Sequence, residues 1–324
     1  MTNAEHADPA EGVGSSSYGR AGDDVTIAAL TTGLVSFREP DGLILSTGNL
    51  YFTSHDANFG TLWRMAQTAV PGQEILLYAE LGGRFGDIVF AQVGGAFFGY
   101  FFATRGGADI TIKRVPLTGG AATVLATLSN IDVVNNHRNL VTDGVNLYWQ
   151  DVSSVRKMPI GGGAITVLDP SQPNTPTAGV ALQGANLIYA SVNEIRFVPT
   201  AGATTPPSSR IIATAASRVT ALHAVSNGVY WGEQSGAVKL KVGSTTTTLP
   251  ATAGLVATSI STNGFTAGGA QAWSQCASSS CVLQFALPGG NFATGIGSSA
   301  LGVSVTSAGN VFWGDSAGVH RRVF

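Results

Sequence analysis

Seven aromatic residues recur along this chain at nearly even intervals: Phe52, Phe102, Trp149, Tyr189, Trp231, Trp273 and Trp313. Each sits in a short apolar run (LYF, YFF, LYW, LIY, VYW, QAW, VFW). A repeat of this length is one supersecondary unit that cannot bury its own faces, so its copies must stack on each other. The clearest copy is Asn139–Leu168, which reads as four strands. They are Asn139–Thr142, Asn146–Gln150, Ser154–Pro159 and Ala164–Leu168, divided by Asp143-Gly144, a tight polar turn, and Gly161-Gly162-Gly163. Val-, Ile-, Tyr- and Trp-rich runs separated by Gly and Asp-Gly turns are the hairpin signature. Four strands per unit at this period predict an all-β fold, a seven-bladed β-propeller of four-stranded antiparallel blades. The third strands repeat as well, as TLWRMAQTAVPG, TIKRVPLTGG, SVRKMPIGGG, EIRFVPTAGA, AVKLKVGS and VLQFALPGG.

The last copy runs out early. After Trp313 only Gly318–Phe324 remains, a third strand with no fourth. A strand-like run at the other end, Val25–Leu30, is expected to supply the outer strand of the last blade and close the ring, removing an open sheet edge. Residues 1–24 are polar and rich in Gly, Ser, Ala and Asp, which predicts a disordered tail ahead of a single propeller domain, 25–324.

Composition agrees with short strands and tight turns. Charged residues make up 11% of the chain, against roughly 25% in an ordinary domain, and glycine contributes 42 of 324 residues. A net charge of −2 gives no reason to expect nucleic acid or an anionic membrane as partner. The longest apolar run, Ile88–Ala103, is broken by Gln92 and Gly94-Gly95 and is too short to span a membrane. No apolar leader stands in the first twenty residues. Cys276 and Cys281 flank a tight turn, where hairpin strands bring side chains within disulfide reach, so a disulfide is expected in preference to two free thiols. That pairing implies an oxidising compartment, extracellular or periplasmic, with the cytoplasm left open.

The segments Leu-Tyr-Trp-Gln-Asp (147–151), Val-Tyr-Trp-Gly-Glu (229–233) and Val-Phe-Trp-Gly-Asp (311–315) resemble the repeats of YWTD-type propellers. Their Gly-rich continuation is similar to that of bacterial secreted propellers, a loose group that includes NHL-like and virginiamycin B lyase-like proteins. The resemblance covers residues 36–324 and is one of repeat, not of site. YWTD proteins are six-bladed binding modules, whereas this chain counts seven. The resemblance implies that the Asp closing the motif is structural, hence a scaffold role for Asp151 and Asp315. No catalytic motif of the lyase is matched.

In a propeller, blade-to-blade connections and second-to-third turns share one face, called upper here. First-to-second and third-to-fourth turns share the other. Sorted this way, the lower turns are glycine-dense, with Asp143 nearly their only charge, while the upper loops (SFREPDG, SHDANFG, GGRFGD, ATRGGAD, NNHRN, GEQSG) collect the charges. Loops held by rigid strands carry ligands in comparable scaffolds, which makes the upper rim the candidate site. The competing explanation is that tight hairpins simply demand glycine below.

Candidate ligand-binding residues on that rim are His55, Arg84, Arg105, His137, Arg138, Arg218 and Glu233. The four arginines are expected to come from different blades, an arrangement that suits carboxylate or phosphate. Catalytic candidates are His137, His223 and Glu233. His223, in an inner strand, either points at the channel or packs as a hydrogen-bonded core histidine. His320 is expected on a solvated outer face beside Arg321-Arg322, and His6 lies in the tail. The residues two past each marker (Ser54, Thr104, Asp151, Ser191, Glu233, Gln275, Asp315) form either a polar ring or a set of turn caps. No local metal-binding spacing, nucleophile motif or cofactor loop is present; Gly295–Ala300 matches a dinucleotide loop on paper but no helix pattern follows it. The expectation is a monomeric, non-catalytic propeller without a cofactor, binding a small molecule, glycan or peptide on the upper rim. The alternative is a lyase- or hydrolase-type enzyme with a His/carboxylate pair at the channel mouth, assisted by a divalent cation. A structural domain of a larger surface assembly is the third reading.

Overall fold

The computed structural model describes the chain apart from residues 1–23, 30, 33–34, 37, 47, 56–58, 71–72, 106–108, 129–139, 152–153, 171–177, 203–209, 252–254, 263–270, 278–279, 288–289, 297–302, 306–309, 316–317 and 323–324. For 24–46, 105, 109, 259, 261–262, 280, 287, 290–296, 315 and 318 only the strand is described, not the side chain.

The strands assemble into seven four-stranded antiparallel blades, with a further two-stranded hairpin, Thr31–Thr32 and Val35–Ser36, ahead of blade 1. Blade 1 is Arg38–Ser46, Asn49–His55, Phe59–Ala66 and Ile75–Leu81, from inner to outer strand. Blade 2 is Gly83–Val93, Ala96–Arg105, Asp109–Pro116 and Thr123–Leu128. Blade 3 is Val141–Thr142, Asn146–Gln150, Val155–Pro159 and Thr166–Asp169. Blade 4 is Val180–Gln183, Asn186–Ser191, Glu194–Pro199 and Ile211–Thr214. Blade 5 is Val219–Val225, Gly228–Glu233, Val238–Val242 and Thr245–Leu249. Blade 6 is Val256–Thr262, Gln271–Ala277, Ser280–Leu287 and Gly290–Ile296.

Blade 7 takes Val303–Val305, Val311–Asp315 and Gly318–Arg322 from the end of the chain and its outer strand, Asp24–Ala29, from the beginning. The register runs from Asp24 opposite Arg322 to Ala29 opposite Gly318. The N-terminal strand therefore closes the ring, as the truncated last repeat predicts. The tail expected over 1–24 falls almost wholly outside the described residues.

Every marker aromatic lies in a second strand and is 2% exposed or less. Because blade faces meet blade faces, the core is divided among the junctions. Trp149 packs with Phe102 and Ile112 between blades 2 and 3. Tyr189 joins Tyr148 and Val155 between blades 3 and 4, and Trp231 joins Ile188 and Ile195 between blades 4 and 5. Trp273 lies with Tyr230 and Val238, Trp313 with Leu283 and Phe285. At the seam of the ring, Phe52, Leu50 and Trp63 of blade 1 pack on Phe312 and Val319 of blade 7. Hydrogen bonds stitch the same junctions: Thr53 Oγ1 to Gly86 O at 2.9 Å, Gln150 Nε2 to Ala190 O at 2.9 Å, and Gln183 Nε2 to Val225 O at 2.6 Å.

Cys276 and Cys281 form a disulfide across the hairpin of blade 6, with Cα atoms 4.1 Å apart at directly opposed positions. One expectation fails. His320 is 9% exposed and stacks on Trp313, ring centroids 5.3 Å apart, and Arg322 is 1% exposed. Their strand is not an edge, because Asp24–Ala29 covers it, and its faces lie between blades.

Candidate functional site

The acidic candidates are held by the scaffold. Glu233, at the upper end of blade 5's second strand, is fully buried. Its Oε1 accepts a hydrogen bond from Trp231 Nε1 at 3.1 Å and pairs with Lys239 Nζ at 3.1 Å; its Oε2 accepts from Ser235 Oγ at 3.4 Å. Asp151 does the same in blade 3, accepting from the Ser154 backbone N–H at 2.7 Å and pairing with Arg156 Nε at 2.5 Å. Each carboxylate caps its own turn and neutralises the third-strand cation opposite the marker aromatic. Gln275, in the same column, bridges blades instead, donating to Gly236 O at 3.1 Å and Leu255 O at 3.3 Å. These members of the column build the fold. Thr104 is half-buried and Ser191 buried, while the Asp315 side chain is outside the described residues.

His223 lies on the inner strand of blade 5, opposite Tyr230, with ring centroids 6.2 Å apart. It shares a strand face with Ala221 and Val225, which pack toward blade 6. Burial pushes its imidazole down to about 4, so the ring is neutral at neutral pH. The register pairs Glu233 with Val219, which places His223 three to four residues along the ladder, roughly 10–13 Å away at about 3.3 Å per residue. The two do not form an acid–base pair.

The other rim candidates divide. His55 is 9% exposed, at the end of blade 1's second strand opposite Gly60. Arg84 is exposed at the entry to blade 2. Arg105 ends the second strand of that same blade, one register step away, so the four arginines do not come from four different blades as expected. Arg218 is half-buried between blades 4 and 5. His137, Arg138 and the Arg105 side chain fall outside the described residues. Among the described residues no group of three His, Cys, Asp or Glu side chains gathers closely enough to hold a metal ion. No helix among them is long and apolar enough to cross a membrane.

On the upper rim at blades 4 and 5, three connections lock into a ridge. The Val192 carbonyl accepts from Val219 N at 2.8 Å, and the Asn193 carbonyl from Ala215 N at 2.7 Å. The Arg218 carbonyl accepts from Gln234 N at 2.8 Å, and Ser217 Oγ from Ser235 N at 3.0 Å. Val192 forms the two-residue turn with Asn193 at a φ of 56°, a conformation that costs a β-branched residue energy. Its side chain is nonetheless 39% exposed, with Gln234 and Ser235 exposed beside it. The sequence carried one overlooked signal for this ridge: valine stands where a two-residue hairpin turn favours Asn or Gly.

No protein-family model and no curated protein matches this sequence. Solved propellers match it in shape. A chain of the mitotic checkpoint complex superposes with a TM-score of 0.62 at 12% identity, covering 100% of both chains. The extracellular domain of the putative one component system BT4673 from B. thetaiotaomicron gives 0.64 at 10% identity over 94% of this chain. PorZ, a surface component of the type-IX secretion system of Porphyromonas gingivalis, gives 0.58 at 12% identity over 93%. This chain spans 40% of the BT4673 chain and 38% of PorZ. At these identities the likeness is one of fold: the chain is a seven-bladed β-propeller.

Proposed function

We propose that this chain is a non-catalytic binding propeller that engages a peptide or protein segment on its upper rim at blades 4 and 5. The observation that carries the reading is the ridge formed by Val192–Asn193, Ala215–Val219 and Gln234–Ser235. Backbone hydrogen bonds fix it before any partner arrives, which lowers the ordering cost of association. It projects an exposed apolar side chain on a strained turn, and such strain is commonly retained at functional sites. Half-buried Arg218 anchors the ridge through its carbonyl and places a cationic side chain within it. The engagement of Glu233 and Asp151 in turn caps supports a scaffold reading of the YWTD-type motif over the His/carboxylate enzyme.

A propeller chain within the mitotic checkpoint complex and the extracellular setting of the BT4673 domain support protein association and an extracytoplasmic location by analogy. The Cys276–Cys281 disulfide favours the same compartment. The test is crosslinking followed by quantitative capture from the source's extracytoplasmic fraction, comparing wild type with Val192→Asp and with Arg218→Glu. A partner retained by wild type and lost at least tenfold from both variants, with unchanged melting, is the expected result. Equal capture by all three removes the ridge as the binding surface.

A further inference from the structure

On the opposite face, the junction of blades 1 and 2 opens into a concavity of about 350 Å³, lined by Tyr51, Arg64, Phe97, Pro116, Leu117 and Thr118. Tyr51 and Arg64 are directly opposed on the second and third strands of blade 1, so both leave the sheet on the side that meets blade 2. Tyr51 packs edge-on against Phe90 of blade 2, centroids 4.7 Å apart. Arg64 Nη1 donates to Leu117 O at 3.4 Å, and among the described residues no carboxylate pairs with this guanidinium. Phe97 is half-exposed at the rim, and the remaining lining is apolar or aliphatic apart from Thr118.

Blade 3 repeats the arrangement with one addition. Tyr148 and Lys157 are opposed, and Lys157 Nζ donates to Thr200 O, in the lower turn of blade 4, at 2.6 Å. There a carboxylate completes the group: Tyr148 donates its hydroxyl to Asp143 Oδ2 at 2.7 Å. Asp143 stands three residues before Asn146. In blade 1 the residue three before Asn49 is Ser46, which the register sets opposite Asn49. The carboxylate that partners the tyrosine in blade 3 therefore has no counterpart in the sequence of blade 1.

We infer that this lower-face concavity binds a small apolar monocarboxylate, whose anion takes the place that Asp143 occupies in blade 3. The Arg64 guanidinium and the Tyr51 hydroxyl hold the carboxylate, and Phe97, Pro116 and Leu117 cover the apolar body. A single guanidinium in an apolar lining matches one carboxylate better than a phosphate or a polyhydroxylated ligand. The volume sits at the small end of the ligand-site range and fits one ring with a short acid arm.

The test is ligand-observed NMR and calorimetry of the full chain with phenylacetate, indole-3-acetate, their neutral amides and inorganic phosphate. At least one acid binds, with its amide and phosphate at least tenfold weaker. Arg64→Gln weakens the acid at least tenfold. Ser46→Asp supplies blade 3's carboxylate in cis and blocks the acid while melting as wild type, which separates loss of the site from loss of the fold. Acid and amide binding equally, acid binding unchanged in Ser46→Asp, or no acid binding at millimolar concentration would each overturn the assignment. Val192→Asp, on the other face, leaves acid binding unchanged, so the two sites stand or fall independently.

Discussion

His223 carries a pH dependence that comes from burial. Its folded pKa of about 4 lies below the ordinary 6.5 because burial disfavours the imidazolium. A base with a depressed folded pKa binds more protons in the unfolded chain between those values, so stability is complete above pH 6.5 and falls as pH drops toward 4. The difference is on the order of 3 kcal/mol across that window. Denaturant titrations at a series of pH values should show wild type losing this amount relative to His223→Gln, whose curve flattens. Parallel curves would mean that His223 is solvated. At this scale the sequence was only partly legible. That His223 belongs to an inner strand followed from the repeat, but its burial depends on the neighbouring blade. Glu233 looked like a candidate base because its type and rim position were visible, whereas Lys239, Trp231 and Ser235 around it become neighbours only when the hairpin closes.

At the scale of the blade, junctions are tight where glycine permits it. A Cβ on Gly232 would lie 2.4 Å from Ala257 Cβ of blade 6 and 3.2 Å from Thr220 Oγ1. Gly232→Ala should therefore destabilise the fold by about 1–3 kcal/mol through overpacking, and Ala257→Gly in the same chain should restore most of the loss. Equilibrium denaturation of the single and double variants checks this; a neutral Gly232→Ala would show that the junction is loose. The glycine was visible in the VYWGE repeat, but its reason was not. Strand identity is a local property, legible from apolar runs and turn residues. The partner face is another blade, some 25 residues further on, and no periodicity names which atom will meet it. The same limit misplaced His320: a third strand beside two arginines looks solvated until a strand from the other end of the chain covers it.

For the whole molecule, closure is the controlling feature. Asp24–Ala29 completes blade 7, and the seam beside it is packed by Leu50, Phe52, Trp63, Phe312 and Val319. Deleting residues 24–29 exposes Gly318–Arg322 as an edge, with buried Arg322 and His320 uncovered. The expected outcome is a broad transition with a melting temperature lowered by more than 5 °C, given that about 1 kcal/mol shifts a large domain by roughly 2–4 °C. An unchanged melting curve would show that three strands suffice. The sequence by itself determined the number of blades, the order of strands and the chain end that closes the ring, since strands and turns are local patterns and their recurrence along the chain, with one copy left short, can be read directly. Only the tertiary structure decided which polar side chains are scaffold, where the rim is rigid, and that a cationic concavity opens on the glycine-rich face. Those properties belong to the spaces between blades, where side chains distant in sequence set each other's burial and partners.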